Sequence, residues 1–133
     1  MNAPEPGTSV VHRRYVPASH AHYAGDLVDG AYGLALFGDV ATELCIRTDG
    51  DEGLFASYSD VQFLAPVRAG DVVEAEATLV RVGRRSREMN FELRVVCRGR
   101  QPGGSTPASA ADVLDPPVVA TTARGTVVVP PTG

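Results

Sequence analysis

Residues 30–47 read "GAYGLALFGDVATELCIR", and the reading of this stretch decides the fold. Its apolar residues Ala31, Leu34, Phe37, Val40, Ala41 and Leu44 recur at steps of three and four. That spacing gathers side chains on one face of an α-helix. Asp29 precedes it as an N-cap, with a carboxylate placed to accept from the free amides of the first turn. Thr48-Asp49-Gly50 closes it, Gly50 being suited to the left-handed cap conformation. At roughly 18 residues and 1.5 Å per residue the helix is about 27 Å long. In a chain of 133 residues it is the element around which the others must be arranged.

Outside the helix the period falls to two. Val10 to Val16 is β-rich and is stopped by Pro17. Leu54 to Leu64 reads as one strand, ended by Pro66 and the turn Ala69-Gly70-Asp71. Val73, Ala75, Ala77 and Leu79 alternate with Glu74, Glu76 and Thr78, and after the turn Val82-Gly83-Arg84-Arg85 the residues Met89, Phe91, Leu93, Val95 and Cys97 alternate with Asn90, Glu92 and Arg94. These are half-buried antiparallel partners. Gly99 to Pro117 is rich in Gly, Pro, Ser and Ala and reads as an exposed loop; Val118 to Val129 is the last strand, with a bulge at Arg124-Gly125. The expected architecture is α+β, an antiparallel sheet wrapped around one long helix. Residues 1–9 are expected to be a flexible N-terminus and 10–133 a single domain with an irregular loop at about 99–117.

Hydrophobic residues make up 44% and charged residues 21%, near the averages of globular domains. A net charge of −4 supplies no basic field for a nucleic-acid backbone. Arg81, Arg84, Arg85 and Arg87 are nevertheless bunched, a cluster suited to a small phosphorylated ligand. Cys45 and Cys97 lie in apolar segments far apart, the pattern of reduced thiols, which points to the cytoplasm. The N-terminus has no apolar core of a signal peptide, and no run approaches the ~18 apolar residues of a membrane span.

Four motifs carry a resemblance. "AHYAGDLVDG" (Ala21 to Gly30) leads into the helix, "GDVATEL" (Gly38 to Leu44) lies within it, and "FLAPVRAGDVVEAEATLVRVGRRS" (Phe63 to Ser86) and "DPPVVATTARG" (Asp115 to Gly125) follow. From about Val10 to Val129 the chain resembles the hotdog-fold 3-aminoacyl-CoA ammonia lyases, relatives of the acyl-CoA thioesterases. The resemblance implies reversible elimination of ammonia from a short 3-aminoacyl-CoA such as β-alanyl-CoA or 3-aminobutyryl-CoA. Coenzyme A enters as part of the substrate, and no metal or redox cofactor is expected. It also implies a homodimer with shared sites, in some relatives a trimer of dimers. Arg84, Arg85 and Ser86 match the segment where hotdog enzymes meet coenzyme A phosphates. Phe37 stands where a tryptophan is expected, so the acyl pocket is expected to include it.

Such a reaction needs a base for the α-proton, a donor set for the enolate-like thioester oxygen, and a proton on the departing amine. The helix start at Gly30 and Ala31 offers free N–H groups and the positive end of a dipole, and Gly30 permits close approach. An ordinary helix cap is the alternative reading. Asp39 and Glu43 lie one turn apart on one face, so that repulsion and desolvation would raise one pKa. Equally, Glu43 is one turn from Arg47 and can form a surface pair with it. His22 and Tyr23 sit ahead of the helix, where they can orient the amine or carry its proton. His12 and His20 read as structural or exposed, and His20-Ala21-His22 lacks a third ligand for a metal. Asp26, Asp49 and Asp51 read as turn residues. An acyl-CoA thioesterase, addition of another amine to an enoyl thioester, and a catalytically silent acyl-CoA binder remain alternatives on the same scaffold.

Overall fold

The computed structural model describes residues 3–131. Ser9–Tyr15 forms β1. Two short 3-10 turns, Ala18–His20 and Ala24–Asp26, alternate with the small strands β2 (Ala21–Tyr23) and β3 (Leu27–Val28), which pair with each other. The helix α1 spans Gly30–Asp49, and β4 (Leu54–Phe63), β5 (Val72–Val82), β6 (Ser86–Gly99) and β7 (Ala111–Val128) follow. The five long strands form one antiparallel sheet in the order β1-β5-β6-β7-β4, and α1 lies across its inner face. The periodicities anticipated an antiparallel sheet around one long helix, and this is the arrangement that the resemblance to hotdog proteins implies.

The two periods meet in the core. Val73, Ala75, Ala77 and Leu79 of β5 and Met89, Phe91, Leu93 and Val95 of β6 are buried against Leu36, Phe37, Val40, Ala41 and Leu44 of α1. Each large side chain placed there stabilises the fold by roughly 1.5–3 kcal/mol. Both ends of α1 are capped as expected: Asp29 Oδ1 accepts from the Tyr32 amide at 3.0 Å, and Gly50, at φ 66°, donates its N–H to the Ile46 carbonyl at 2.9 Å.

Four sequence expectations are corrected. The flexible N-terminus does not extend to residue 9, because Gly7 N–H donates to the Leu79 carbonyl at 2.7 Å and Leu79 N–H to Thr8 at 2.9 Å; residues 1 and 2 lie outside the described residues. The loop read at 99–117 shrinks to 100–110, since β6 runs to Gly99 and β7 begins at Ala111. Pro116 and Pro117 obscured that strand, but they fall where the register jumps from Val95↔Val118 to Cys97↔Val113, so no ladder amide is demanded of them. The bulge at Arg124-Gly125 is absent. The irregularities lie in β4 instead, and Gly125 admits the Phe55 and Phe91 rings, which a β-carbon there would meet at 2.5 and 2.8 Å.

The fourth correction concerns Asp49, which is a helix residue rather than a turn residue. Its carboxylate takes both Nε and Nη2 of Arg87, with Nη2 to Oδ1 at 2.6 Å, and the two side chains are only 5% and 7% exposed. Arg87 Nη1 also donates to the Gly83 and Ser86 carbonyls, which fastens the β5–β6 hairpin to the C-terminal end of α1. Burial pushes the Asp49 carboxyl up, but the hydrogen bonds from Arg87 and Thr48 outweigh it and hold the group below its ordinary value. Cys45 is buried, Cys97 half-buried, and both are free. Among the described residues no helix is long and apolar enough to cross a membrane.

Candidate active site

A groove of about 420 Å³ opens at the N-terminal end of α1. Asp29, Gly30, Tyr32 and Gly33 of the helix start form one wall, Tyr23 and Val28 stand beside them, and Phe63 to Val67 form the facing wall. Leu93 and Thr121 reach into it from the sheet. Thr121 is 4% exposed, and its hydroxyl lies 3.9 Å from the place a β-carbon on Gly33 would occupy. The sheet therefore supplies a polar atom directly beneath the helix start.

The donors follow from helix geometry. Asp29 occupies the Tyr32 amide, and the amides of Gly30 and Ala31 precede any carbonyl that could accept from them within the helix. They point toward the positive end of the macrodipole, which favours developing negative charge. The close approach expected at Gly30 is made by a side chain: a β-carbon on Gly30 would lie 2.5 Å from the Phe63 ring. Phe63 thus covers the helix start.

Tyr23 lines the groove, and His22 is next to it in the chain. His22 Nδ1 lies 3.8 Å from Asp29 Oδ2, and the His22 and Tyr23 rings meet edge to face at 4.6 Å. His20 instead packs on Tyr32, ring centres 4.4 Å apart. The two histidines of the loop therefore serve different neighbours, and Asp29 is both helix cap and partner of His22.

The remaining candidates are not in this groove. Asp39 is exposed on the outer face of α1, nine positions beyond Gly30 and so roughly 13 Å along the axis. Glu43, a turn later, is held between Arg47 and His12, with Arg47 Nε donating to Oε2 and His12 Nε2 bonded to Oε1, both at 2.8 Å. The hydrogen bond from Arg47, then that from His12, holds Glu43 below the usual carboxylate value. The pKa that the Asp39–Glu43 pair was expected to raise is therefore not that of Glu43. The arrangement also realises the Glu43–Arg47 pair and brings in His12 from β1, whose buried Nδ1 has no partner among the described residues.

Phe37 is fully buried and stacks on Phe91 at 5.0 Å, beneath the helix rather than in the groove. Arg84 and Arg85 lie in the β5–β6 turn and Ser86 opens β6, at the end of α1 where Arg87 grips Asp49. A 20-residue helix spans about 30 Å, so within one protomer they stand a full helix length from Gly30. Phe63, Leu93 and Thr121 were not singled out from the sequence. The one available signal was Phe63-Leu64-Ala65-Pro66, a strand end that runs straight into the groove wall.

With this geometry in view, the comparisons with known proteins are informative. The thioesterase superfamily matches residues 26–99. Over 113 residues the chain is 54% identical to 3-aminobutyryl-CoA ammonia lyase of Acetoanaerobium sticklandii, covering 85% of this chain and 87% of that one. The structure of β-alanyl-CoA:ammonia lyase from Clostridium propionicum superposes with a TM-score of 0.87 at 35% identity, covering 97% of this chain and 94% of that one. A hexameric thioesterase from Yersinia pestis shares the fold, with a TM-score of 0.71 at 20% identity and 98% of each chain covered. The helix, the groove at its N-terminus and these similarities agree, and the chain belongs to the hotdog thioesterase superfamily and, within it, to the family of 3-aminoacyl-CoA ammonia lyases.

Proposed function

We infer that this protein is a carbon–nitrogen lyase that reversibly eliminates ammonia from a short 3-aminoacyl-CoA, giving the enoyl-CoA. The observation that carries this reading is the 54% identity to 3-aminobutyryl-CoA ammonia lyase across 85% of the chain. Because the substrates named for that relative and for the β-alanyl-CoA enzyme differ by one methyl on the acyl chain, both belong in the test.

The groove supports a division of labour. The thioester oxygen is placed at the Gly30 and Ala31 amides, where the enolate charge develops as the α-proton leaves. The electron pair of that C–H bond moves through the enolate to form the double bond as the β C–N bond breaks. Asp29, with His22 and Tyr23 beside it, holds the amine as ammonium so that it departs as ammonia. Asp39, with Glu43 a turn away, is assigned as the base. Because Asp39 lies roughly 13 Å along the helix from Gly30, the base that serves one groove comes from a second protomer, which makes the site a shared one. Arg84, Arg85 and Ser86 reach a substrate only across the same interface.

The surface available for that interface is β4. It is an edge strand, and Leu54, Phe63, Leu64 and the helix residue Ile46 leave large apolar side chains exposed. A second copy added along this edge covers both. Two free cysteines are in keeping with a reducing cytoplasm.

The deciding experiment incubates the protein with β-alanyl-CoA and with 3-aminobutyryl-CoA and follows ammonia, enoyl thioester and free thiol together. Ammonia and enoyl-CoA in equal amounts without free thiol is the expected result. Free coenzyme A without ammonia would establish a thioesterase, and no addition of ammonia to enoyl-CoA at alkaline pH would end the lyase reading.

A further inference from the structure

A second cleft, of about 580 Å³, is lined by the neighbouring residues of the same two chain segments. Tyr23 and Val28 with Leu64 to Val67 face the groove, and Ala24 to Leu27 with Arg68, Ala69 and Asp71 face the cleft. The two chain segments are held together by Val28 N–H to the Val67 carbonyl at 2.8 Å and Ala69 N–H to the Asp26 carbonyl at 2.9 Å. A ligand that leaves the groove past Val67 therefore meets Arg68 on a fixed surface.

Arg68, Arg98 and Arg100 line this cleft against the carboxylates of Asp26 and Asp71. Their situations differ. Arg98 is committed to Asp71, which is 1% exposed, through Nε at 3.0 Å and Nη2 at 2.8 Å, and Nη2 also reaches the Pro66 carbonyl. Arg100 is paired with Asp112 at 2.8 Å. Asp71 Oδ2 further accepts the Arg68 backbone amide at 2.8 Å, so the buried carboxylate shapes the turn that presents Arg68. The Arg68 guanidinium itself has no hydrogen-bond partner among the described residues, and its Nε is buried without one. An orphaned buried donor on a cation is costly unless a ligand satisfies it.

We propose that this cleft is the site for the diphosphate of the substrate's coenzyme A carrier, with Arg68 as the residue that binds it. The inference rests on reading the neighbouring groove as the thioester site. A planar guanidinium matches phosphate oxygens through two N–H groups, and with Arg98 and Arg100 each paired to a carboxylate, Arg68 is the arginine of this cleft left without an ion pair among the described residues. The pantetheine arm then runs along Pro66 and Val67, and one protomer holds both ends of the substrate. This places the phosphates a helix length away from Arg84 and Arg85 of the same protomer.

The test uses Arg68→Gln and Arg68→Lys in the full chain, with Arg84→Gln/Arg85→Gln for comparison. Binding of free coenzyme A is measured by calorimetry, and steady-state kinetics use the CoA thioester and its N-acetylcysteamine counterpart, which lacks phosphates. R68Q is expected to weaken coenzyme A binding and raise KM for the CoA thioester roughly tenfold, leaving kcat/KM for the short thioester unchanged, while R68K recovers part of the loss. Equal losses with both thioesters would mark a structural role and overturn the proposal. So would no change in R68Q, a failure of the wild-type protein to bind coenzyme A, or a KM rise confined to the Arg84/Arg85 variant. Coenzyme A binding that falls in R68Q while no ammonia is released would keep this site and remove the lyase reading. Ammonia release indifferent to Arg68 would do the reverse.

Discussion

The Phe63 ring lies over Gly30, so close that a β-carbon on Gly30 would stand 2.5 Å from its edge. One residue begins the helix and the other ends an edge strand, and their contact forms the lip of the groove. Gly30→Ala is expected to push the ring aside at an overpacking cost of about 1–3 kcal/mol and to lower kcat/KM roughly tenfold. Phe63→Ala should remove most of that penalty in the double variant. A double-mutant cycle in turnover reads the coupling; equal losses from G30A with and without Phe63 would mean the ring is not what Gly30 accommodates.

Asp39 and Glu43 are a turn apart but differ in their partners. Glu43 is ion-paired with Arg47 and hydrogen-bonded to His12, whereas Asp39 has no hydrogen bond or ion pair among the described residues. Asp39→Asn is therefore expected to cost the larger share of kcat, on the order of 10²–10⁴, the range of a general base. Glu43 stays ionised to below the usual carboxylate range, so a carboxyl NMR titration should place its midpoint low, and Arg47→Ala should move it up. An E43Q variant that abolishes turnover while D39N retains it would reverse the assignment.

The exposed Leu54 on β4 and Ile46 on α1 are the apolar positions that a second protomer would cover. Leu54→Glu with Ile46→Glu should lower the sedimentation coefficient to that of a monomer and remove activity together, because the proposed site takes its base from a second protomer. A fully active monomer would disprove the shared site.

Asp49 and Arg87 set an acid limit on stability. The folded-state pKa of Asp49 is depressed below its unfolded value, so the pair stabilises the protein above that unfolded value, near 3.9. Its contribution is lost as pH falls through the lower folded-state value. Arg87→Ala leaves a buried carboxylate without its partner and is expected to cost about 3–5 kcal/mol. Thermal melts from pH 7 to pH 2 check both: the wild type should lose melting temperature below about pH 4, and D49N should flatten that part of the curve.

What was legible in the sequence was local. The three-and-four spacing from Ala31 to Leu44, the cap at Asp29 and the left-handed Gly50 needed only neighbours within a turn, and the alternation from Val73 to Leu79 only a two-residue period. Those periods, with the long helix between one strand and four, pointed to an antiparallel sheet around one helix, and the quoted motifs supplied the resemblance to the hotdog family. The strand start at Ala111 was hidden because Asp115-Pro116-Pro117 reads as a turn until a partner strand supplies a register jump to hold it.

The site was decided by tertiary structure. His12 meets Glu43 across 31 positions and Arg87 meets Asp49 across 38, pairings that depend on where the sheet curls rather than on spacing along the chain. The same holds for the groove, whose Phe63, Thr121 and Leu93 stand side by side in register on three neighbouring strands and face the start of α1. A sequence determines which residues face inward together within one element, because the backbone period is short. Which elements then face each other depends on the packing of the whole sheet around the helix.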